Sequence, residues 1–332
     1  MRILLSRESG GPETLAIAEV AEPRPAPGEL LVRVRACSIN FPDVLIIEDK
    51  YQLKPPRPFA PGGEVAGEIE AVGEGVEGWK VGDRIIAVTG FGGLAEKIVI
   101  PAKSAFRLPD KRSFEEGAAL LLTYATSIHA LADRGRLEAG QTLLVLGAAG
   151  GVGLAAVELG KAMGAKVVAA VSSEEKAQAA REAGAGEALI YPPGPFDRDG
   201  QKALANQFKG AVGPAGADVI FDPVGGDYAE PALRSIGWEG RYLVVGFPAG
   251  ISKLPLNLTL LKSCDVCGVF WGAFAMRDPA ANAAHVEQLF KWWAEGKIAP
   301  RISATYPLER AGEAIAAVAA RRAIGKLVVT LD

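Results

Sequence analysis

Residues 142–176, which read TLLVLGAAGGVGLAAVELGKAMGAKVVAAVSSEEK, constrain the fold of this chain more than any other segment. A short apolar run suited to a buried strand comes first, and a cluster of glycines follows it at once. A helical stretch and a second apolar run complete the order strand, turn, helix, strand. Since this alternation continues to about residue 246, it predicts a doubly wound parallel sheet, an α/β fold.

The glycine turn inside this segment has the chemistry of a dinucleotide site. It reads A-x-G-x-x-G, with Ala148 where the usual pattern has its first glycine. Gly150 lets the backbone approach a pyrophosphate, and Gly153 lets the helix pack closely on the strand. The free N–H groups at the start of the helix then point at the phosphates. The residues predicted to bind the cofactor here are Ala149, Gly150, Gly151, Val152 and Gly153.

The end of the second strand indicates which dinucleotide is bound. An NAD site usually places Asp or Glu there to hold the ribose hydroxyls, whereas this chain has Ser172 and Ser173. These hydroxyls and Lys176, one turn later, can donate hydrogen bonds to an adenosine 2′-phosphate. We interpret Glu174 and Glu175 as first-turn acids of the next helix, where they complement its dipole and complete a capping box. The predicted cofactor is therefore NADPH.

Composition excludes several classes of partner. The chain has 332 residues, enough for two domains, with 23% charged residues and a formal net charge of −3. Without a basic run, neither nucleic acid nor an anionic membrane is an expected partner. Three cysteines and an N-terminus with only a short apolar stretch favour a cytoplasmic protein. Cys264 and Cys267 have C-x-x-C spacing, but their neighbours predict a strand, which disfavours a metal or redox role.

The first 123 residues carry strand and turn patterns, so they predict a small β-rich domain. With that half in view, the chain resembles the medium-chain dehydrogenase/reductases, within them the zinc-free, zeta-crystallin-like quinone oxidoreductase branch. The motifs that carry the resemblance are INFPD at 39–43, Tyr51, PGGEVAG at 61–67, VGEGV at 72–76, VGDR at 81–84 and AAGGVG at 148–153.

The resemblance implies a domain organisation. A GroES-like catalytic domain would comprise residues 1–123 and 262–332, and a Rossmann NADP-binding domain of residues 124–261 would be inserted into it. It also implies an active site in the cleft between the two domains and, commonly, a homodimer. A strand around Cys264 would lie at the sheet edge and could pair across a two-fold axis.

Zinc is not expected at the position where alcohol dehydrogenases of this superfamily hold it. The first zinc ligand is replaced by Asn40, and the histidine of the family motif G-H-E is replaced by Gly63. Without a Lewis acid, oxidation of a simple alcohol loses several kcal/mol of transition-state stabilisation. The resemblance therefore favours reduction of activated acceptors, without a bound metal.

The resemblance also implies where other residues act. Asn40 and Thr126 would lie near the nicotinamide and Tyr191 near the adenosine. Asn40 has a second interpretation, the closing of a turn before Pro42, and Phe270 has one as a core or dimer-interface aromatic. The residues that would frame the nicotinamide ring are Gly246, Phe247, Val269 and Phe270.

Tyr51 is the residue on which the predicted function depends. It matches the tyrosine with which related enoyl-thioester reductases protonate the α-carbon after hydride transfer. With Asn40 and Tyr51 as catalytic residues, the predicted protein is an NADPH-dependent reductase of quinones or related electron-poor conjugated carbonyls. The alternatives are a trans-2-enoyl thioester reductase in which Tyr51 is the proton donor, and a non-catalytic NADPH-binding protein. In quinone reduction, Tyr51 would only stack on the nicotinamide or pack a loop.

Overall fold

The structure, a computed structural model, describes residues 1–331. The strands are β1 Arg2–Leu5, β2 Ala16–Glu19, β3 Glu29–Ile39, β4 Glu64–Val72, β5 Arg84–Val88, β6 Lys97–Pro101, β7 Ala105–Arg107, β8 Thr142–Leu146, β9 Lys166–Val171, β10 Glu187–Ile190, β11 Ala217–Asp222, β12 Ile236–Val244, β13 Asp265–Gly268, β14 Ile302–Pro307 and β15 Lys326–Thr330.

The α-helices lie mostly in the second half of the chain. They are α1 Phe41–Ile47, α2 Phe114–Ala118, α3 Leu121–Ile128, α4 Gly151–Ala162, α5 Glu174–Ala183, α6 Arg198–Val212, α7 Ala229–Leu233, α8 Asn257–Lys262, α9 Trp271–Arg277, α10 Pro279–Ala294 and α11 Ala311–Ala319. No helix within residues 1–331 is long and apolar enough to cross a membrane.

Two compact units make up the chain. The β-rich unit consists of Met1–Leu122 and the segment that begins at Pro300, and the parallel-sheet unit is Thr123–Ala299. The second boundary differs from the predicted one, because residues 262–299 group with the parallel sheet. Strand β13 pairs with β12 in that sheet, and the long helix α10 follows in the same unit. Only β14, α11 and β15 return to the β-rich unit.

The β-rich unit is built around strand β3, whose apolar residues enter the core. Its sheet has the order β14-β15-β3-β4-β5-β7, and β6 also pairs with β3. Ser38 near the end of β3 is paired with Glu64 at the start of β4, and Ile39 is paired with Leu327 in β15. The end of β3 and the starts of β4 and β15 therefore meet at one place.

The parallel-sheet unit has six strands in the order β10-β9-β8-β11-β12-β13, and every pairing is parallel. This confirms the doubly wound sheet predicted from residues 142–176. The order is that of a Rossmann fold in which β8 is the first strand. Chain order reverses between β8 and β11, so the loops that follow these two strands flank the crevice where such folds bind ligands.

Candidate functional site

The glycine turn after β8 leads directly into helix α4. Gly147 has a φ of +56°, and Gly150 donates its N–H to the Gly147 carbonyl at 3.0 Å before α4 begins. A Cβ added to Gly153 would lie 2.2 Å from the Gly147 oxygen, so only glycine lets the helix approach the turn this closely. The first amides of α4 have no acceptor within the helix, which makes the turn a cradle for an anionic group.

The predicted 2′-phosphate residues lie at the end of β9. Lys176 Nζ donates to Ser172 Oγ at 3.0 Å, and Ser173 Oγ accepts the Lys176 N–H at 3.3 Å as the N-cap of α5. The predicted capping box was wrong, because the third helical position is Lys176 and not a glutamate. Glu174 instead pairs with Arg181 at 2.7 Å. Ser172 is exposed, so its hydroxyl and the Lys176 ammonium form a polar pair open to solvent.

The other predicted cofactor residues of this unit lie along the same edge of the sheet. Tyr191 follows β10, with its ring centroid 4.9 Å from that of Tyr228. Phe247 and Phe270 follow β12 and β13 and are 47% and 55% exposed, which leaves both rings available to a ligand. Beside Thr126 on α3, Ser127 Oγ donates to the Val152 carbonyl at 3.1 Å. The remaining members, Gly246 and Val269, directly precede Phe247 and Phe270. Their role in cofactor binding stays a prediction.

In the β-rich unit, Asn40 belongs to a set of buried polar side chains, which we call the Lys326 cluster: Ser38, Asn40, Glu64 and Lys326. Their exposed fractions are 0%, 7%, 1% and 3%. Lys326 Nζ donates to Asn40 Oδ1 and, at 3.1 Å, to Glu64 Oε2. Ser38 Oγ donates to the same Glu64 oxygen at 2.6 Å. Sequence reasoning missed Ser38, Glu64 and Lys326 as members of a site.

The cluster uses both ends of the Asn40 carboxamide. Its oxygen accepts from Lys326, while its Nδ2 donates to Ser38 Oγ and to Glu64 Oε2, both at 3.2 Å. The second Glu64 oxygen accepts the N–H of Leu122, in the first turn of α3, at 2.8 Å. Asn40 therefore orders its surroundings, and its side chain has little capacity left for a ligand. The second interpretation of Asn40, as a turn residue, is thus favoured by its position as N-cap of α1.

Asp43 continues this set of buried hydrogen bonds to the start of α1. Its carboxylate accepts the N–H of Asn40 at 2.7 Å and that of Gly62 at 2.9 Å. Burial raises the pKa of Asp43 to about 6, although these two hydrogen bonds and the charge of Lys326 act in the opposite direction. Asp43 thus combines a structural role with a titration close to neutral pH.

Tyr51 lies four residues after α1 and is half-buried against the core of its unit. Burial raises the pKa of its phenol, and the negative charge of Asp43 raises it further. The hydroxyl is therefore protonated at neutral pH, in the form that can donate a proton. This is the state that a general acid requires.

Comparisons with known proteins relate both units to dehydrogenases. Residues 26–110 match the family model of the alcohol dehydrogenase GroES-like domain, and residues 151–287 match that of zinc-binding dehydrogenases. Quinone oxidoreductase-like protein 2 of Rattus norvegicus is 38% identical over 322 residues, which are 96% of this chain and 89% of that protein. Quinone oxidoreductase of Rattus norvegicus is 33% identical over 316 residues, 95% of this chain and 92% of the relative.

A solved structure has the same fold along its whole length. The crystal structure of Escherichia coli quinone oxidoreductase complexed with NADPH has a TM-score of 0.90 and 29% identity, and the alignment covers 100% of both chains.

The zinc-binding family description raises the question of a metal, and the Lys326 cluster does not fit one. The cation that contacts Glu64 is the ammonium of Lys326, and the resemblance implies that Asn40 and Gly63 replace two zinc ligands. A divalent cation at Glu64 would have to displace this ammonium. Among residues 1–331, no group of three or more His, Cys, Asp or Glu side chains could hold a metal ion.

Proposed function

The chain belongs to the quinone oxidoreductase-like branch of the medium-chain dehydrogenase/reductase family, and we propose that it is a zinc-independent, NADPH-dependent reductase of quinones or related electron-poor conjugated carbonyls. The observation that carries the proposal is the Lys326 cluster. It places a buried ammonium on Asn40 and Glu64, and by the resemblance Asn40 stands where a metal-dependent relative has a zinc ligand. Activated acceptors need no Lewis acid, which makes them the substrates that suit this chain.

The parallel-sheet unit supports NADPH as the hydride donor. The amides at the start of α4 would hold the pyrophosphate, and Ser172, Ser173 and Lys176 would bind the adenosine 2′-phosphate. The Escherichia coli quinone oxidoreductase, which has the same fold, was crystallised with NADPH. When bound, NADPH supplies the hydride, and the protein supplies its alignment.

Quinone reduction requires little from the protein beyond this alignment of the reactants. Hydride addition produces a resonance-stabilised hydroquinone anion, which can take its proton from water. The protein therefore contributes mainly by positioning the reactants, with Phe247 and Phe270 as exposed rings that would confine the nicotinamide. Tyr51 would then pack against the reactants without transferring a proton.

The protonated state of Tyr51 favours a second candidate, reduction of trans-2-enoyl thioesters. There the proton is delivered to carbon, so a positioned donor contributes typically about 10²–10⁴-fold to the rate. The half-buried phenol stays protonated at neutral pH and can donate, although burial and the charge of Asp43, which raise its pKa, also make it a weaker acid. The third candidate is an NADPH-binding protein without turnover, which would use only the proposed cofactor site.

One experiment separates these candidates. NADPH oxidation by the purified protein is followed with an ortho-quinone, a para-quinone and a short trans-2-enoyl thioester, each repeated with Tyr51→Phe. We expect quinone turnover that is unchanged in the variant. Thioester turnover that is lost with the hydroxyl would make Tyr51 a general acid, and NADPH binding without any turnover would favour the non-catalytic candidate.

Tyr306→Phe is the matched control. Tyr306 lies in β14 of the same unit and is also half-buried, but it belongs to no predicted site. Loss of thioester turnover in both variants would show a general effect of removing a hydroxyl, not proton donation by Tyr51.

We also propose that the protein forms a homodimer through strand β13. This strand is the edge of the six-stranded sheet, and its Val266 is 40% exposed. Neighbouring α8 carries Leu260 and Leu261, which are 78% and 62% exposed. An exposed apolar surface beside an unpaired edge fits a second copy related by a two-fold axis. Light scattering should give twice the mass of the chain, and a monomer that persists at high concentration would contradict the pairing.

A further inference from the structure

Asp222 is a buried carboxylate at the ligand-binding edge of the parallel sheet. It is the last residue of β11, is 0% exposed, and lies next to β8 at the point where strand order reverses. A carboxylate is costly to bury unless hydrogen bonds satisfy its oxygens. The hydrogen bonds of Asp222 therefore indicate which part of the structure this buried carboxylate stabilises.

All of these contacts go to the loops that follow β11 and β12, or to β12 itself. Asp222 Oδ1 accepts the N–H of Val224 at 2.8 Å and that of Gly225 at 2.9 Å. Its Oδ2 accepts the hydroxyl of Tyr242, in β12, at 2.5 Å. The backbone oxygen of Asp222 accepts the N–H of Val245 at 2.9 Å and that of Gly246 at 3.3 Å. One residue thus holds the starts of two loops.

The two loops are also bonded to each other. Gly226 donates its N–H to the Gly250 carbonyl at 2.7 Å, and Ala249 donates to the Val224 carbonyl at 2.9 Å. Gly225 has a φ of +70°, and a Cβ on it would lie 2.7 Å from Phe247 Cβ. The loop after β11 therefore supports Phe247, one of the residues predicted to frame the nicotinamide.

On its other side, the same loop packs against the glycine turn. A Cβ on Gly147 would lie 2.8 Å from Val224 Cγ2, so Val224 covers the beginning of that turn. The loop held by Asp222 thus lies between the pyrophosphate cradle and Phe247. Ser172, Ser173 and Lys176, which are predicted to bind the 2′-phosphate, follow β9. None of the hydrogen bonds described above joins them to this loop.

We propose that Asp222, completed by the Tyr242 hydroxyl, is a positioning residue for the nicotinamide half of the cofactor. It sets the distance between the glycine turn and Phe247 by holding the intervening loop through Val224 and Gly225. This inference rests on the proposed NADPH binding. It means that Asp222, a buried residue of the sheet, contributes to the affinity for the cofactor by positioning the loop and not by contacting the cofactor.

The hydrogen-bond pattern predicts that Asp222 holds the loop through its hydrogen bonds and not through its negative charge. Both loop amides bond to Oδ1, which an asparagine oxygen can replace, and the Tyr242 hydroxyl can accept from the asparagine Nδ2. Asp222→Asn should therefore keep the loop in place, while Asp222→Ala releases it. Burial, moreover, raises the pKa of Asp222, so loss of its charge in the amide variant removes a desolvation cost.

The test compares two ligands on the complete protein. Binding of NADPH and of 2′,5′-ADP, which carries only the adenosine half, is measured by calorimetry for the unaltered protein, Asp222→Asn and Asp222→Ala. We expect Asp222→Ala to weaken NADPH at least about 10-fold, the effect of losing one or two hydrogen bonds, and to leave 2′,5′-ADP within about twofold. Asp222→Asn should bind both ligands nearly as the unaltered protein does.

Tyr242→Phe and Tyr124→Phe provide a matched pair. Tyr124 is also buried in this unit and donates to a half-buried carboxylate, Glu158, at 2.6 Å, but that carboxylate holds the Ala299 N–H rather than a loop at the ligand edge. The two variants remove the same kind of bond. Only Tyr242→Phe should weaken NADPH relative to 2′,5′-ADP.

Three outcomes would overturn the role of Asp222: unchanged NADPH affinity in Asp222→Ala, an equal loss for both ligands, or an equal effect of Tyr242→Phe and Tyr124→Phe. An equal loss would mean that the unit is destabilised as a whole. If the unaltered protein bound 2′,5′-ADP but not NADPH, or neither ligand, the proposed cofactor would be overturned instead. Hydrogen exchange at the Val224 and Gly225 amides reports release of the loop independently of any ligand.

Discussion

The β-rich unit and the parallel-sheet unit present their polar groups in opposite ways. In the Lys326 cluster, side chains from β3, β4 and β15 bond to one another inside the core. In the predicted cofactor site, backbone amides of the glycine turn and the exposed Ser172 hydroxyl are available to a ligand. The first arrangement is complete before anything binds, whereas the second needs an anion to complete it.

Because of this difference, we expect the Lys326 cluster to contribute to folding stability and the glycine turn to contribute to affinity for the cofactor. Buried charges that pair only with each other make the fold depend on every partner, because removal of one leaves the other desolvated. A cradle of amides on a helix terminus contributes to binding without such a cost, since water satisfies the amides until a ligand arrives. Mutations in the first region should therefore act on folding, and mutations in the second on the cofactor.

The largest effect should follow from Lys326→Met. The Glu64 carboxylate, 1% exposed, would lose its cation, and breaking a buried pair in this way costs about 3–5 kcal/mol of unfolding free energy. Urea denaturation measures the loss. The double variant Glu64→Gln with Lys326→Met should recover part of it, because no buried charge is left alone.

Lys97→Met is the control for this variant. Lys97 also bonds to two carboxylates, those of Glu22 and Glu70, at 2.9 and 2.8 Å, but its side chain lies near the surface. Solvent compensates for such pairs, so the change in stability should be far smaller. If both lysine variants lost the same stability, burial would not be what distinguishes the Lys326 cluster.

The next largest effect should be on cofactor choice. Lys176→Ala removes an ammonium from the predicted 2′-phosphate site, and a hydrogen bond to a charged group is worth about 1.5–3 kcal/mol, or about 10- to 100-fold in affinity. Titration with both cofactors should show this loss for NADPH and almost none for NADH. Lys209→Ala, in the last turn of α6, serves as the control. Equal losses for NADPH and NADH would refute the assignment of Lys176.

A smaller effect should come from the glycine turn. In Gly153→Ala the new Cβ would lie 2.2 Å from the Gly147 oxygen, so α4 must move, at a cost of about 1–3 kcal/mol. Thermal unfolding and NADPH titration should both register this change. Gly210→Ala in α6 meets no atom within 4 Å and should instead stabilise the protein by about 0.5–1 kcal/mol. A gain at both positions would show that the turn is not closely packed.

Much of the parallel-sheet unit could be predicted because its determinants are local. Strand β8, the glycine turn and α4 lie within about twenty consecutive residues, and apolar patterning shows which of them are buried. The resemblance added the outline of the β-rich unit. The predicted domain begins its returning segment at residue 262, whereas the compact units change at Pro300, because the pairing of β13 with β12 is a contact between distant segments that periodicity does not report.

The sequence by itself determined the doubly wound sheet, the glycine cradle and the serine–lysine pair at the end of β9, since each depends on residues a few positions apart. Only the tertiary structure decided that Lys326 bonds to Asn40, 286 residues earlier, and that Asp222 holds two loops. The physical reason is that a buried charge is stable only with its partners, and sheet pairing, not sequence spacing, brings those partners together.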